Sequence, residues 1–172
     1  NMANKSGYVF YGWKQTGVGI YQEGSYVRNL ADQEGAVVKL KAIWRRGHYK
    51  ISFKPNGGTG TMEEQIFTCG EGKKLSKNKY TRKGYTFVGW NTRKDGKGKS
   101  YTENQKVESL CKEDGEVFEL YAMWKGNPYQ VAYDGNGATS GTVKTSKHVY
   151  GTESKLNTNH FKRKGYTFAG RN

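Results

Sequence analysis

The chain has 172 residues and a formal net charge of +14, with 34% hydrophobic and 14% aromatic residues. It contains neither the run of about 20 apolar residues typical of a membrane-spanning helix nor a signal-peptide pattern at its start. Its mean hydropathy of −0.94 could indicate disorder, but aromatic side chains bury large areas and can build a thin core. We therefore expect folded, β-rich units with polar surfaces.

One seven-residue stretch occurs three times. GYTFVGW at residues 84–90 matches GYVFYGW at 7–13 and GYTFAGR at 165–171, at offsets of 77 and 81 residues. Two other pairs of segments match at an offset of 80 residues, namely 31–44 with 111–124 and 49–58 with 129–138. Self-similarity at a fixed period indicates a repeat architecture with a unit of about 80 residues.

The repeat predicts three domains. Residues 1–44 form a carboxyl-terminal half repeat, 47–125 a complete repeat and 128–172 an amino-terminal half repeat, so both ends of the sequence fall inside a unit. Because the unit is small, we expect marginal burial in each copy.

The first half of the complete repeat predicts a hairpin. Tyr49, Ile51 and Phe53 alternate with polar residues, which is typical of a strand with one buried face. The turn-forming residues 55–58 end this strand. Residues 66–69 then predict a second strand, paired with the first.

The middle of the repeat predicts a loop and a third strand. Residues 70–83 are mostly polar, so we expect an exposed loop anchored by Leu75. Residues 85–90 predict a strand with Tyr85 and Phe87 on one face and Val88 and Trp90 on the other. Residues 91–100 predict a long exposed turn, because the first repeat is three residues shorter there.

The end of the repeat predicts a short helix and a last strand. Val107, Leu110 and Cys111 show the helical spacing i, i+3, i+4, which recurs at Val27, Leu30 and Ala31. Glycines at 115 and 35 would end these helices. Alternating apolar residues over 118–124 predict the last strand, and residues 126–128 a brief linker.

Three ordered sequence blocks resemble a known family. They are FKPNGGTGTM at 53–62, GYTFVGWNT at 84–92 and LYAMW at 120–124. Together they resemble the Listeria-Bacteroides repeat, the internalin B-type B repeat of bacterial surface proteins, over nearly the whole chain. The departures are Arg171 in place of a tryptophan, and Cys69 and Cys111 in place of a tyrosine and a small polar residue.

The resemblance implies an α+β, mainly β fold of tandem β-grasp-like repeats, each a small sheet with one short helix. It also implies an extracellular location at the bacterial cell surface or in the cell wall, as a non-enzymatic stalk, spacer or adhesive module without catalytic residues or cofactors. The missing signal peptide does not contradict export, since the sequence begins inside a repeat.

Residues able to carry chemistry are few. His48, His148 and His160 have no recurring partner and no metal-ligand spacing, so we expect neither a catalytic nor a metal site. Cys69 and Cys111 lack the spacing of a zinc site. A disulfide would be possible if their α-carbons lay within about 7 Å of each other. We favour the alternative, in which they are two separate, half-buried side chains.

The basic segments before the GYTF strands are the strongest candidate site. Cations beside aromatic residues could bind an anionic polymer such as a glycosaminoglycan or teichoic acid, and such binding should weaken with salt. A solvated loop that serves solubility is slightly preferred. No known nucleic-acid-binding module is recognisable. The candidate residues are Lys73, Lys74, Lys77, Lys79, Arg82, Lys83, Lys162, Arg163 and Lys164.

Two further expectations concern aromatic residues and half repeats. Trp13, Trp44, Trp90 and Trp124 stand at strand ends, where they could stack on sugars but are better read as seals of the core.

Half repeats cannot close a core, so 128–172 of one chain could complete 1–44 of another by strand addition, in head-to-tail self-association. Alternatively, each half folds alone, or the ends merely cut through units.

Overall fold

The structure, a computed structural model, describes residues 7–108, 110–111 and 113–170. Those residues form strands and loops, with no helix. The strands are β1 (Tyr8–Gln15), β2 (Gly19–Tyr21), β3 (Lys41–Arg46), β4 (His48–Lys54), β5 (Gln65–Thr68), β6 (Lys73–Lys74), β7 (Tyr85–Asn91), β8 (Ser100–Tyr101), β9 (Lys106–Val107), β10 (Val117–Gly126), β11 (Pro128–Val131) and β12 (Ser146–Val149).

The complete repeat contains a five-stranded mixed sheet in the order β5-β4-β10-β7-β8. The first and last long strands of the repeat, β4 and β10, pair in parallel at its centre, with Ile51 opposite Phe118. All other pairs in the sheet are antiparallel. The chain therefore enters the repeat at one end of the sheet and leaves at the other.

One face of this sheet carries the core. Tyr49, Ile51 and Phe53 are buried along β4, and Leu120 and Ala122 are buried beside them on β10. The predicted alternation in both strands is therefore confirmed. Leu75 is also buried, so the loop before β7 is anchored by this side chain as expected, although the short pair of β6 and β9 adds to it.

The flanking segments reproduce parts of the same sheet. In residues 7–46, the order β2-β1-β3 corresponds to β8-β7-β10 of the complete repeat. In residues 128–149, the antiparallel pair β11 and β12 corresponds to β4 and β5. The mainly β prediction is confirmed. Arg171 lies outside the described residues.

The predicted helices are wrong. Val107 belongs to β9 and pairs with Lys73, while Leu110 and Cys111 follow in irregular chain. Val27, Leu30 and Ala31 also lie in irregular chain. The i, i+3, i+4 spacing arises here because Val107, at the end of β9, and Cys111 are both buried in the core. A helix of two or three turns is marginal without strong packing, so the spacing alone could not decide.

The two-faced alternation predicted for residues 85–90 is also wrong. Phe87 lies opposite Trp124 and Gly89 opposite Met123, so Val88 is the extra residue of a β-bulge. The bulge brings the Phe87 and Trp90 rings onto one side, with centroids 4.9 Å apart, and leaves Val88 exposed.

The bulge explains the second glycine of the recurring heptapeptide. Gly89 has a φ of +139°, and a Cβ there would lie 2.7 Å from the carbonyl oxygen of Tyr101. Gly12 occupies the equivalent bulge in β1, with the carbonyl oxygen of Tyr21 2.6 Å from its ideal Cβ position. Any larger residue would be strained and would push the neighbouring strand away.

The two cysteines form a disulfide, contrary to the reading that they are separate side chains. Their α-carbons are 5.9 Å apart, within the range that a disulfide requires. Cys69 follows β5 and Cys111 follows β9, so the bond ties the edge of the sheet to the irregular segment where a helix was expected. Disulfides persist mainly in oxidising, extracytoplasmic compartments.

Replacing both Cys69 and Cys111 with serine should lower the free energy of unfolding of the complete repeat by up to about 4 kcal/mol, because the bond closes a loop of 42 residues. Urea titration followed by tryptophan fluorescence measures this difference. Reductant should bring the wild-type chain to the stability of the double variant and leave the variant unchanged. Equal urea midpoints for the oxidised wild type and the variant would contradict a stabilising bond.

Candidate functional site

The histidines lie on different elements. His48 begins β4, His160 is exposed, and His148 is buried on β12. Among the described residues, no group of three or more His, Cys, Asp or Glu side chains could hold a metal ion. That the chain has no catalytic, metal or cofactor site remains a prediction.

His148 packs in its segment as Phe67 packs in the complete repeat. Its ring stacks on Tyr129 with centroids 5.3 Å apart, as Phe67 stacks on Tyr49 at 5.0 Å in the complete repeat. Its Nε2 is 2.6 Å from the Ser146 Oγ, and its Nδ1 is 2.5 Å from the Ser154 Oγ. The two serines satisfy a polar ring at a position where the other copy has a phenylalanine. Alignment of the two copies places His148 at the position of Phe67, but it does not reveal these partners.

The nine candidate cations lie in the segment that precedes the GYTF strand in each of the two copies. Lys73 and Lys74 form β6, Lys77 and Lys79 follow it, and all four are exposed. Arg82 is half-buried, while Lys83 and its counterparts Lys162, Arg163 and Lys164 in the last segment are exposed. The structure thus places all nine on loops and short edge strands outside the core.

Five carboxylates of the complete repeat pair with cations outside the candidate set. The ion pairs among the described residues are Arg46–Glu71, Lys50–Glu64, Lys54–Glu119, Arg93–Asp95 and Lys106–Glu108. None of the nine candidate cations takes part in these described ion pairs. Their charge is therefore not neutralised by a carboxylate of the described residues.

Two of these carboxylates are held in the ionised form. The pKa of Glu119 is lowered by the hydrogen bond from the Tyr121 hydroxyl and by Lys54. The pKa of Asp95 is lowered by the hydrogen bond from the Lys97 backbone N–H and by Arg93. Since both carboxylates stay charged at neutral pH, they continue to engage the cations of the sheet and the 93–97 turn.

Two arginines of the candidate set rest on tyrosine rings. The Arg82 Cζ lies 4.0 Å from the centroid of Tyr85, and the Arg163 Cζ lies 4.3 Å from that of Tyr166. Such cation–π contacts fix the guanidinium while leaving its N–H groups available. The sequence showed the cations beside aromatic residues, but not which aromatic ring each arginine contacts.

Trp90 and Trp124 act as core seals, as expected. Trp90 is fully buried, and Trp124 donates its Nε1–H to the Pro55 carbonyl oxygen at 2.9 Å. A Cβ at Gly58 would lie 2.7 Å from the Trp124 ring, so the tryptophan closes directly over the turn after β4. In the first segment Trp13 is 38% exposed, because no strand pair equivalent to β4 and β5 covers it among the described residues.

Sequence reasoning missed Asn91 as the organiser of the long turn. This side chain is buried, and its Oδ1 accepts hydrogen bonds from the backbone N–H groups of Arg93 and Gly98. Its Nδ2 lies 2.9–3.1 Å from the Ser100 Oγ and from the carbonyl oxygens of Gly96 and Gly98. The first repeat has Lys14 here and a shorter turn, which was the only available signal.

The links between consecutive units repeat the same backbone hydrogen bonds. Gly47 alone separates β3 from β4, and its N–H donates to the Gly7 carbonyl at 3.1 Å. Its own carbonyl accepts from the Cys69 N–H at 2.9 Å. At the next link, Asn127 donates to the Gly84 carbonyl and accepts from the Tyr150 N–H, both at 2.9 Å.

Side chains reinforce each link differently. The Arg46–Glu71 ion pair crosses the first link. At the second link, the Tyr85 and Tyr150 rings meet edge to face with centroids 5.4 Å apart, and the Thr86 hydroxyl hydrogen-bonds the Asn127 Oδ1 at 2.6 Å. The backbone pattern is therefore common to both links, whereas the side chains that support it vary.

Comparison with known proteins now gives the family. The family model described as the Listeria-Bacteroides repeat domain matches residues 49–114 and 129–170. The chain belongs to the Listeria-Bacteroides repeat family. The resemblance inferred from the three sequence blocks is thereby confirmed.

Two relatives of this chain come from Evansella cellulosilytica. A protein named "Putative Gly-rich membrane protein" is 30% identical over 87% of this chain and 17% of its own length. A protein named "Putative membrane protein" is 30% identical over 98% of this chain and 24% of its own length. The chain thus spans about a quarter or less of these curated relatives. No solved structure matches it.

The three blocks of the Listeria-Bacteroides repeat converge in the structure. Pro55 and Gly58 of the first block touch Trp124 of the last, and Phe87 of the middle block lies against the same ring, with centroids 5.8 Å apart. Within the part of the chain described here, no helix is long and apolar enough to cross a bilayer.

Proposed function

We propose that this Listeria-Bacteroides repeat is a stalk or spacer module of a bacterial surface protein, which carries an adhesive or binding region away from its point of attachment. The parallel pairing of β4 with β10 carries this proposal. Because both strands run the same way, entry and exit lie at opposite ends of the unit, and each further repeat adds length.

The links between units support the same role. A one-residue connection whose N–H and C=O are both bonded to neighbouring backbone has little freedom to rotate. Because both links use the same pair of bonds, stiffness is a property of the repeat rather than of one sequence. An extracellular location fits this role, and the Cys69–Cys111 disulfide supports it, since such bonds persist outside the reducing cytoplasm.

Insertion of Gly-Ser-Gly-Ser between Gly126 and Asn127 should make the chain bend at the second link, because it separates Asn127 from Gly84 and Tyr150. Small-angle X-ray scattering should then show a broader distribution of interatomic distances, while the complete repeat keeps its melting temperature. The same insertion after Gly35, in exposed irregular chain, serves as the control and should leave the distribution nearly unchanged. A wild-type chain as flexible as the linker variant would contradict a stiff stalk.

We also propose a second function, binding of anionic polymers, because none of the nine candidate cations is paired with a described carboxylate, whereas Lys50, Lys54 and Lys106 are ion-paired. The ligand would be an anionic glycan of the host or of the cell wall, and the affinity would be electrostatic and sensitive to salt. Repetition of the basic edge along an array would raise the affinity through multivalency.

Replacing Lys77, Lys79 and Lys83 together with serine should weaken binding to heparin about tenfold, at about 0.5 kcal/mol for each exposed charge contact. Fluorescence anisotropy at several salt concentrations measures the affinity and its salt dependence. The matched control replaces Lys50, Lys54 and Lys106 with serine. This variant loses the same charge, but its three lysines are ion-paired in the wild type, so its affinity for heparin should fall about twofold or less. Equal losses in the two triple variants would indicate binding by net charge alone.

Self-association through the half repeats is a third proposal. In the described chain, β3 has a strand on one side only, whereas its counterpart β10 has one on both. The same holds for β11 and its counterpart β4. We propose that β3 of one copy pairs in parallel with β11 of another, as β10 pairs with β4, which would extend copies head to tail.

Sedimentation velocity of the 172-residue chain over a wide concentration range tests this pairing. We expect the mean mass to rise with concentration. Ala42→Asp, at the position of the fully buried Ala122, should suppress the rise, because it would place a charge in the new core. Lys41→Asp changes charge at a neighbouring exposed position and is the control. A strict monomer at all concentrations would exclude complementation.

A further inference from the structure

The Arg-Lys-Gly-Tyr turn occurs twice with one geometry. The Tyr85 N–H donates to the Arg82 carbonyl at 3.0 Å, and the Tyr166 N–H donates to the Arg163 carbonyl at 3.1 Å. The third residue, Gly84 or Gly165, has a φ of +79° or +78°, which a turn of this kind requires. The turn returns the chain so that the tyrosine ring lies beneath the guanidinium of the first residue.

A second turn bounds each guanidinium from another side. Gly57 follows Asn56 in the turn after β4, and its ideal Cβ position lies 3.3 Å from the Arg82 Cζ and Nη1. Gly137 holds the same place beside Arg163, at 3.6 Å from its Cζ. The absence of a side chain at these glycines lets each guanidinium lie against the backbone. We call the arginine with its tyrosine and glycine the arginine cradle.

Each cradle presents a fixed guanidinium with unused donors. Neither Arg82 nor Arg163 makes a hydrogen bond or ion pair through its side chain in the described structure, so their N–H groups have no acceptor among the described residues. A guanidinium fork matches two oxygens of a tetrahedral oxyanion, and its immobilisation reduces the entropy lost on binding. Lys83 or Lys164, the next residue of the turn, adds an exposed point charge.

We propose that the two arginine cradles are anion subsites for sulfate or phosphodiester groups of a linear saccharide or polyol polymer. This inference rests on the proposed polyanion binding and assigns its specificity to two arginines, with the lysines supplying attraction at longer range. Recurrence in two copies with the same turn, ring and glycine argues for a built feature, because a purely solvating loop does not require the guanidinium to be held.

The decisive variant of the 172-residue chain is Arg82→Lys combined with Arg163→Lys, which keeps the net charge but removes both forks. Isothermal titration with heparin, as the sulfate polymer, and with poly(glycerol phosphate), as the phosphodiester polymer, should show about tenfold weaker binding to each. The matched control is Arg46→Lys with Arg93→Lys, two arginines already paired with carboxylates, and should change affinity less than twofold. Thermal unfolding confirms that each variant is folded.

The outcomes separate the two levels of the proposal. Unchanged affinity of the Arg82→Lys, Arg163→Lys variant would overturn the cradles while leaving polyanion binding intact, whereas a wild-type chain that binds neither polymer would overturn polyanion binding itself. Binding to only one polymer, lost in the variant, supports the cradles and identifies the group as sulfate or phosphodiester. Equally tight binding of poly-glutamate, which carries only carboxylates, or tighter binding of single-stranded DNA, would overturn the assigned ligand class.

Discussion

The parallel pairing of β4 with β10 is the constraint on which the rest of the unit depends. It joins the first and last strands of an 80-residue period, so the core face cannot close until the whole period has been traversed. Leu120 and Ala122 of β10 are fully buried on the same core face as Ile51 and Phe53 of β4, and Leu120 lies directly opposite Phe53. The same pairing fixes where the next unit begins, and thus connects burial within a repeat to extension along the array.

The first segment shows how much of the aromatic packing depends on near neighbours alone. The Phe10 ring lies 5.0 Å from Trp13 and 5.7 Å from Trp44, nearly the distances that Phe87 keeps to Trp90 and Trp124. The bulge and the antiparallel pair of strands therefore create the aromatic group without the other half of the repeat. What that half adds is cover, since Trp90 is fully buried and Trp13 is not.

Sequence patterns predicted the features that depend on near neighbours and missed those that depend on distant ones. Alternation along β4 and β10 was sufficient for the strands, because each has one buried face. It failed at Val88, where the extra residue is revealed only by the register with β10. Helical spacing failed at Val107 and Cys111, which pair with β6 and Cys69 across 34 and 42 residues. For the candidate site, the cations were evident, but their freedom from ion pairs depended on where the carboxylates lie.

The distribution of charge follows from the same architecture. A thin sheet with one buried face leaves the other in water, and there Lys50 and Lys54 are matched by Glu64 and Glu119 at 3.0 and 3.2 Å. Those pairs keep the strands from presenting a single sign of charge along the array. The edge loops are under no such constraint, because Leu75, Tyr80 and glycine turns anchor them and their charged side chains need no partner carboxylate. Unpaired cations can therefore accumulate there without weakening the sheet, and a repeat that serves as a spacer can gain a binding edge through changes in its loops alone.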